Sequence, residues 1–454
     1  MLTRLAQRLQ FPYMLAFVLC ALVLGGASRG APFYWTILQL ASLPLLAGAF
    51  LLNGGIKTLG ISRLAYMLIL ACFAIPALQL VPLPSPVWST LPGRAEILSG
   101  VLMAGGEPAW LPISLAPFKT EASLLWLLVP AALFFSAARL TLRQRRVLTG
   151  CVLLAVTASV VLGLAQLSED GAGFRLYAET HQQWATGFFA NKNHHAALLL
   201  AVLPLTAALG IRISSDFSRA RAIPRSAAFG ALGFVFSMGI AASGSRAGVS
   251  LALPATLGIV AMLVVSNRRS TVRAVLFPIC AVTALSIAAA PLADRWMFSR
   301  FSESTNDLRW GAAPIVLKAA ESFSPVGSGL GSFDAVYRQS EPTRLITDRY
   351  LNNAHNDYLE LWLEAGIPAV LAILIFLIWW SIRSFQVWRP SSPWAGSAMP
   401  RASSIVVGLL LLHSLVDYPL RTPALAAIFA LACALLETDQ LIRASDRTSA
   451  RIPR

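Results

Sequence analysis

Apolar runs of about 20 residues recur along the whole chain, and they restrict what it can fold into. A helix of that length crosses the ~30 Å hydrocarbon core of a bilayer. Inside hydrocarbon each backbone N–H and C=O has to find its partner within its own segment or in a closed sheet. A transmembrane β-barrel would instead leave short segments of alternating polarity. Charged residues make up only 13% of the 454, against about 25% in a soluble protein. The pattern predicts an all-α polytopic membrane protein, with residues 1–454 forming a single transmembrane domain.

Twelve runs are expected to be helices: 12–27, 33–52, 64–80, 123–138, 147–167, 196–211, 227–242, 249–265, 274–292, 358–380, 403–416 and 424–436. The first is read as a retained helix rather than a cleaved leader, because further spans follow at once. Residues 81–122, with seven prolines and with Trp88 and Trp110, read as an outer loop along the membrane interface, where tryptophan is favoured. All five cysteines lie inside apolar runs, so no disulfide framework is expected.

The net charge of +15 is not spread evenly. Arg139, Arg143, Arg145 and Arg146 form one cluster, Arg212, Arg219, Arg221 and Arg225 another, and Arg383, Arg389 and Arg401 a third. With twelve alternating spans every cluster falls on one side. This is the positive-inside pattern, and it places both termini on the cytoplasmic side. It also accounts for the basic excess without nucleic acid as a partner.

The longest polar stretch, 294–357, falls on the opposite side as a large outer loop before helix 10, periplasmic in a bacterial inner membrane. It ends in Asn352-Asn353-Ala354-His355-Asn356-Asp357, at the mouth of a membrane helix. A neutral imidazole there suits a general base for a sugar hydroxyl; the alternative is an interfacial hydrogen-bonding residue. If the helix starts near Asn356, then His355, Leu359, Trp362 and Gly366 share one stripe; Asp357 and Glu360 read as helix-capping acids, or Asp357 as lining of an outer cavity. Arg246, in the turn Ser243-Gly244-Ser245-Arg246-Ala247-Gly248, is either a snorkelling residue or a phosphate grip. Arg309 is either a solvated helix residue or a second clamp. Lys192, Asn193 and His194 precede the sixth run as cap residues or as lining of the same outer cavity. His413, Asp417 and Arg421 are spaced to share a helix face, as a structural ion pair or, for Arg421, as lining of that cavity. No acidic or thiol side chain stands at a metal-like spacing, so neither metal nor cofactor is expected.

In this order the motifs resemble the bacterial O-antigen ligase superfamily, which also contains many O-antigen and exopolysaccharide polymerases. His355, ten residues and Gly366 resemble its His-x10-Gly signature. Residues 187–196 resemble its Asn-Arg-Asn-His segment, with Lys192 in place of Arg. Residues 243–248 resemble its Ser-Arg-x-Gly turn, and 413–423 its closing His-Ser-Leu-x-Asp segment. The resemblance implies a GT-C-like fold and an inverting, metal-independent glycosyltransferase. The donor it implies is a glycan on undecaprenyl diphosphate, with lipid A–core or a second lipid-linked glycan as acceptor. It also implies His355 as the base and Arg246 and Arg309 on the diphosphate. Two other classes stay open: a secondary transporter or flippase, and a non-catalytic scaffold.

Overall fold

The computed structural model describes residues 2–27, 31–52, 60–107, 109–168, 171–215, 219–266, 308–343, 346, 351–389 and 398–437. The chain is an all-α polytopic membrane protein. Its first helices are α1 (Leu2–Leu24), α2 (Pro32–Leu51) and α3 (Arg63–Gln79). A short hairpin follows, β1 (Pro82–Pro84) pairing antiparallel with β2 (Trp110–Pro112), with α4 (Ser85–Trp88) and α5 (Ala95–Met103) between them. Next come α6 (Pro117–Trp126), α7 (Leu128–Ala137), α8 (Leu142–Ala165), α9 (Lys192–Ser215), α10 (Arg219–Ser243) and α11 (Arg246–Val265). The final elements are α12 (Leu308–Ser322), α13 (Phe333–Ser340), α14 (Asp357–Trp388), α15 (Ala398–His413) and α16 (Pro423–Glu437).

Eleven of the expected runs correspond to helices, in the expected order. The ninth, 274–292, lies outside the described residues. Seven helical segments among the described residues are long and apolar enough to cross a membrane, and four further apolar helices are shorter. The fourth segment begins at Pro117 rather than 123, because Pro117 opens α6 at a position where its missing N–H costs nothing.

Helix α9 is the axis of the bundle. Every residue from Asn193 to Ile211 is buried, against α8, α10, α11 and α15. Helix α16 is buried along nearly its whole length, whereas α14 exposes Leu371, Leu374, Ile378 and Ile382. Those side chains form an apolar face suited to lipid.

A second, smaller core sits at one end of the bundle. It joins Ala312, Val316 and Ala320 of α12, Phe333 and Val336 of α13, and Ala354 and Leu363 at the start of α14. The β1–β2 hairpin is fastened to this layer by Arg94. Its fully buried guanidinium donates to the carbonyls of Pro92 (2.8 Å), Ile113 (2.7 Å) and Gly327 (2.7 Å). Burial pulls its pKa down to about 10, which leaves it cationic at neutral pH. Trp88 is also buried and donates to the Pro112 carbonyl, so it braces the hairpin. Trp110 is 63% exposed.

Candidate active site

The second core holds the loop before α14 in an unusual shape. Asn356 caps the helix, its Oδ1 accepting from the N–H groups of Tyr358 and Leu359, both at 3.0 Å. Capping therefore falls to Asn356, not to Asp357 or Glu360. His355 precedes the cap at φ 51°, the one positive-φ non-glycine residue among those described. It lies outside the helix and not on the stripe with Leu359 and Trp362. A left-handed conformation costs a non-glycine residue roughly 1–2 kcal/mol, so the neighbours must impose it. Glu360 accepts from the Ala354 N–H and the Asn353 amide, Asp357 N–H donates to the Ser414 carbonyl, and the Asn356 amide donates to the Leu415 carbonyl.

The twist brings the His355 ring to the loop after α15. Nδ1 of His355 is 2.9 Å from Oδ1 of Asp417, which is wholly buried. The other Asp417 oxygen accepts from the Asn193 side chain at the start of α9 (2.6 Å). An ionised carboxylate only accepts, so Nδ1 carries the proton, and in the neutral ring Nε2 holds the lone pair. Tyr418 packs edge-on against His355 and His194, with ring centroids 4.9 Å from each. His195 turns the other way, its Nδ1 3.1 Å from the Ala185 carbonyl.

Arg421 forms the second node. Its three nitrogens meet Asp357 (3.3 Å), Glu360 (3.0 Å) and Glu364 (3.1 Å). Burial alone would lower the Arg421 pKa; the carboxylates of Glu360, Glu364 and Asp357 outweigh it and hold it raised. Glu364 also accepts from the N–H groups of Gly331 and Phe333, and Asp357 from the Ser414 hydroxyl. The expected ion pair along His413, Asp417 and Arg421 is not built on one helix face. Helix α15 ends at His413, and Asp417 and Arg421 reach different partners.

Gly366 completes the frame. Helix α14 kinks there at φ 61°, ψ −147°. A Cβ on Gly366 would sit 2.1 Å from the Pro325 carbonyl oxygen, which accepts from the Ile367 N–H. The glycine lets the 325–329 loop lie directly against α14.

The 243–248 turn rests on the start of α9. Lys192 donates to the Gly244 carbonyl (3.1 Å) and lies 3.9 Å from the Trp184 ring centroid. A Cβ on Gly248 would fall 2.7 Å from that of Ala196. Ser245 caps α11 by accepting from the Gly248 N–H, and Arg246 is exposed as the first helical residue. The structure thus brings His355, Asp357, Asn193, His194 and Arg421 together, with the Arg246 turn beside Lys192 at the same helix start. Arg309 stands in the first turn of α12, and its side chain lies outside the described residues. Glu364 and Tyr418 were not singled out by sequence. The spacing of Asp357, Glu360 and Glu364, three and four apart on an otherwise apolar helix, is the signal that marks the first.

Residues 231–374 match the family model described as O-antigen ligase. The chain carries an O-antigen ligase domain. No match was found among curated proteins. The O-antigen ligase domain contains Arg246, Arg309, His355, Glu364 and Gly366. Asn193, Asp417 and Arg421 lie outside it in sequence and are bound to it by the contacts above. The similarity covers residues 231–374 of the 454, within a multi-pass helical membrane protein.

Proposed function

We propose that the protein transfers a glycan from undecaprenyl diphosphate to a sugar hydroxyl of lipid A–core at the periplasmic face. The observation that carries this reading is the His355–Asp417 pair at 2.9 Å. It fixes the tautomer of an imidazole at the polar end of a membrane helix. In the proposed step Nε2 of His355 takes the acceptor's hydroxyl proton. The freed oxygen attacks the anomeric carbon of the donor, and the bond from that carbon to the diphosphate breaks with its electron pair. One displacement inverts the centre. The imidazolium is then stabilised by Asp417, while Arg246 and Arg309 take up the charge growing on undecaprenyl diphosphate. A positioned base of this kind typically contributes 10²- to 10⁴-fold.

Both basic clusters that bracket α8 and α9 lie at the other end of these helices, which supports a periplasmic site on the positive-inside pattern. The test is transfer by the purified protein from a lipid-linked repeat, with and without lipid A–core. Product on lipid A–core that disappears in His355→Ala supports the proposal. Growth of long chains without lipid A–core would favour a polymerase. No transfer under either condition would overturn both.

A further inference from the structure

A groove of about 590 Å³ opens between α8, α9 and α10, at the end of the bundle away from His355. Leu154, Leu209 and Phe229 are among its apolar walls, and along α8 its lining runs from Arg146 to Thr157. From Arg146 to Thr157 along α8 the rise is about 16 Å, at ~1.5 Å per residue. One leaflet of hydrocarbon is about 15 Å deep. Arg143 and Arg212 are exposed at the same ends of α8 and α9.

Gly150 also lines the groove. A Cβ built there meets no atom within 4 Å, and its backbone is not in the left-handed region. The empty space is therefore beside the helix and not forced by it. We propose that this groove holds one acyl chain of an anionic glycerophospholipid from the leaflet opposite the candidate site, with its phosphate beside Arg146. The depth suits a single chain of one leaflet. The Arg146 cation, in the basic first turns of α8, selects a negative headgroup, as basic pockets between membrane helices do. Glycosyl transfer plays no part in the argument, so this proposal stands or fails separately from the one above.

The experiment is native mass spectrometry of the full chain released from nanodiscs of equimolar phosphatidylglycerol and phosphatidylethanolamine. The wild type should retain one phosphatidylglycerol. Arg146→Gln should lower the ratio of bound phosphatidylglycerol to phosphatidylethanolamine about fivefold, the worth of one basic residue at a membrane surface. Gly150→Leu should remove that lipid altogether. It adds a side chain where there is room and replaces glycine by a better helix former, so folding is not at risk. A wild type without retained phosphatidylglycerol, an unchanged lipid count in Gly150→Leu, or an unchanged ratio in Arg146→Gln would overturn it.

Discussion

Nδ1 of His355 and Oδ1 of Asp417 stand 2.9 Å apart although 62 residues separate them in the chain. Two elements meet at this contact: the twisted loop that opens α14 and the loop that closes α15. Asp417 is also held by Asn193 from the central helix α9. The imidazole is therefore aimed by three segments, and its position depends on the bundle as a whole.

Asp417→Asn tests that aim. A carboxylate accepts at both oxygens, whereas an amide accepts at one. Either His355 or Asn193 then faces an NH2 group. Glycosyl transfer should fall by at least about 10²-fold in kcat, approaching the loss in His355→Ala, with the donor KM little changed. Steady-state kinetics with the lipid-linked donor measures both. A rise in KM with kcat intact would assign Asp417 to substrate binding.

Arg421→Met should be far more damaging to folding than to any single contact. It leaves the carboxylates of Asp357, Glu360 and Glu364 buried without their cation. Breaking a buried charge network from one side costs about 3–5 kcal/mol. Arg421→Lys keeps the charge but loses the planar fork that reaches three partners. Thermal unfolding in detergent should rank wild type above lysine and lysine above methionine. Equal melting points would mean that the node does not hold the loop.

The helices were legible because hydrocarbon leaves so few choices. Apolar length alone located eleven of the runs, from 12–27 to 424–436. The layer outside the bilayer was less so. The stretch 81–122 reads as proline-rich loop, yet it pairs β1 with β2 and is locked by Arg94 to Gly327, 233 residues away. No local pattern encodes such a partner. His355 could be found because a polar residue at a helix mouth stands out. Its left-handed backbone could not, since it is imposed by Glu360, Ser414 and Leu415. Asp417 and Arg421 were visible as ionisable residues near membrane depth. The four-residue spacing suggested that they share a face, and the end of α15 at His413 prevented it.

Gly366→Ala should destabilise the protein by more than the roughly 1–3 kcal/mol of backbone strain at a φ, ψ pair that only glycine adopts readily. The methyl group would also meet the Pro325 carbonyl at 2.1 Å and push the 325–329 loop off α14. Gly100→Ala in α5 is the control, because its added Cβ meets nothing within 4 Å. It should be neutral or slightly stabilising. Melting temperatures of the two variants should diverge, and a Gly366→Ala variant as stable as Gly100→Ala would remove the steric account of this position.

Arg246→Ala separates charge stabilisation from structure. Arg246 is exposed at the start of α11, whereas the fold of its turn rests on Ser245, Gly244 and Gly248. The melting temperature should therefore stay within a few degrees of wild type. Losing charge-assisted hydrogen bonds to a diphosphate, worth about 1.5–3 kcal/mol, should lower kcat/KM about 10- to 150-fold. Arg246→Lys should recover part of the loss, since an ammonium keeps the charge without the bidentate grip. Lys192→Gln should act differently. It removes the ammonium from the Trp184 face and from the Gly244 carbonyl, so the turn itself loosens. Its signature is a lower melting temperature together with lower activity. If Arg246→Ala instead melts early and Lys192→Gln does not, the lysine is the residue that grips the donor and the arginine is the brace.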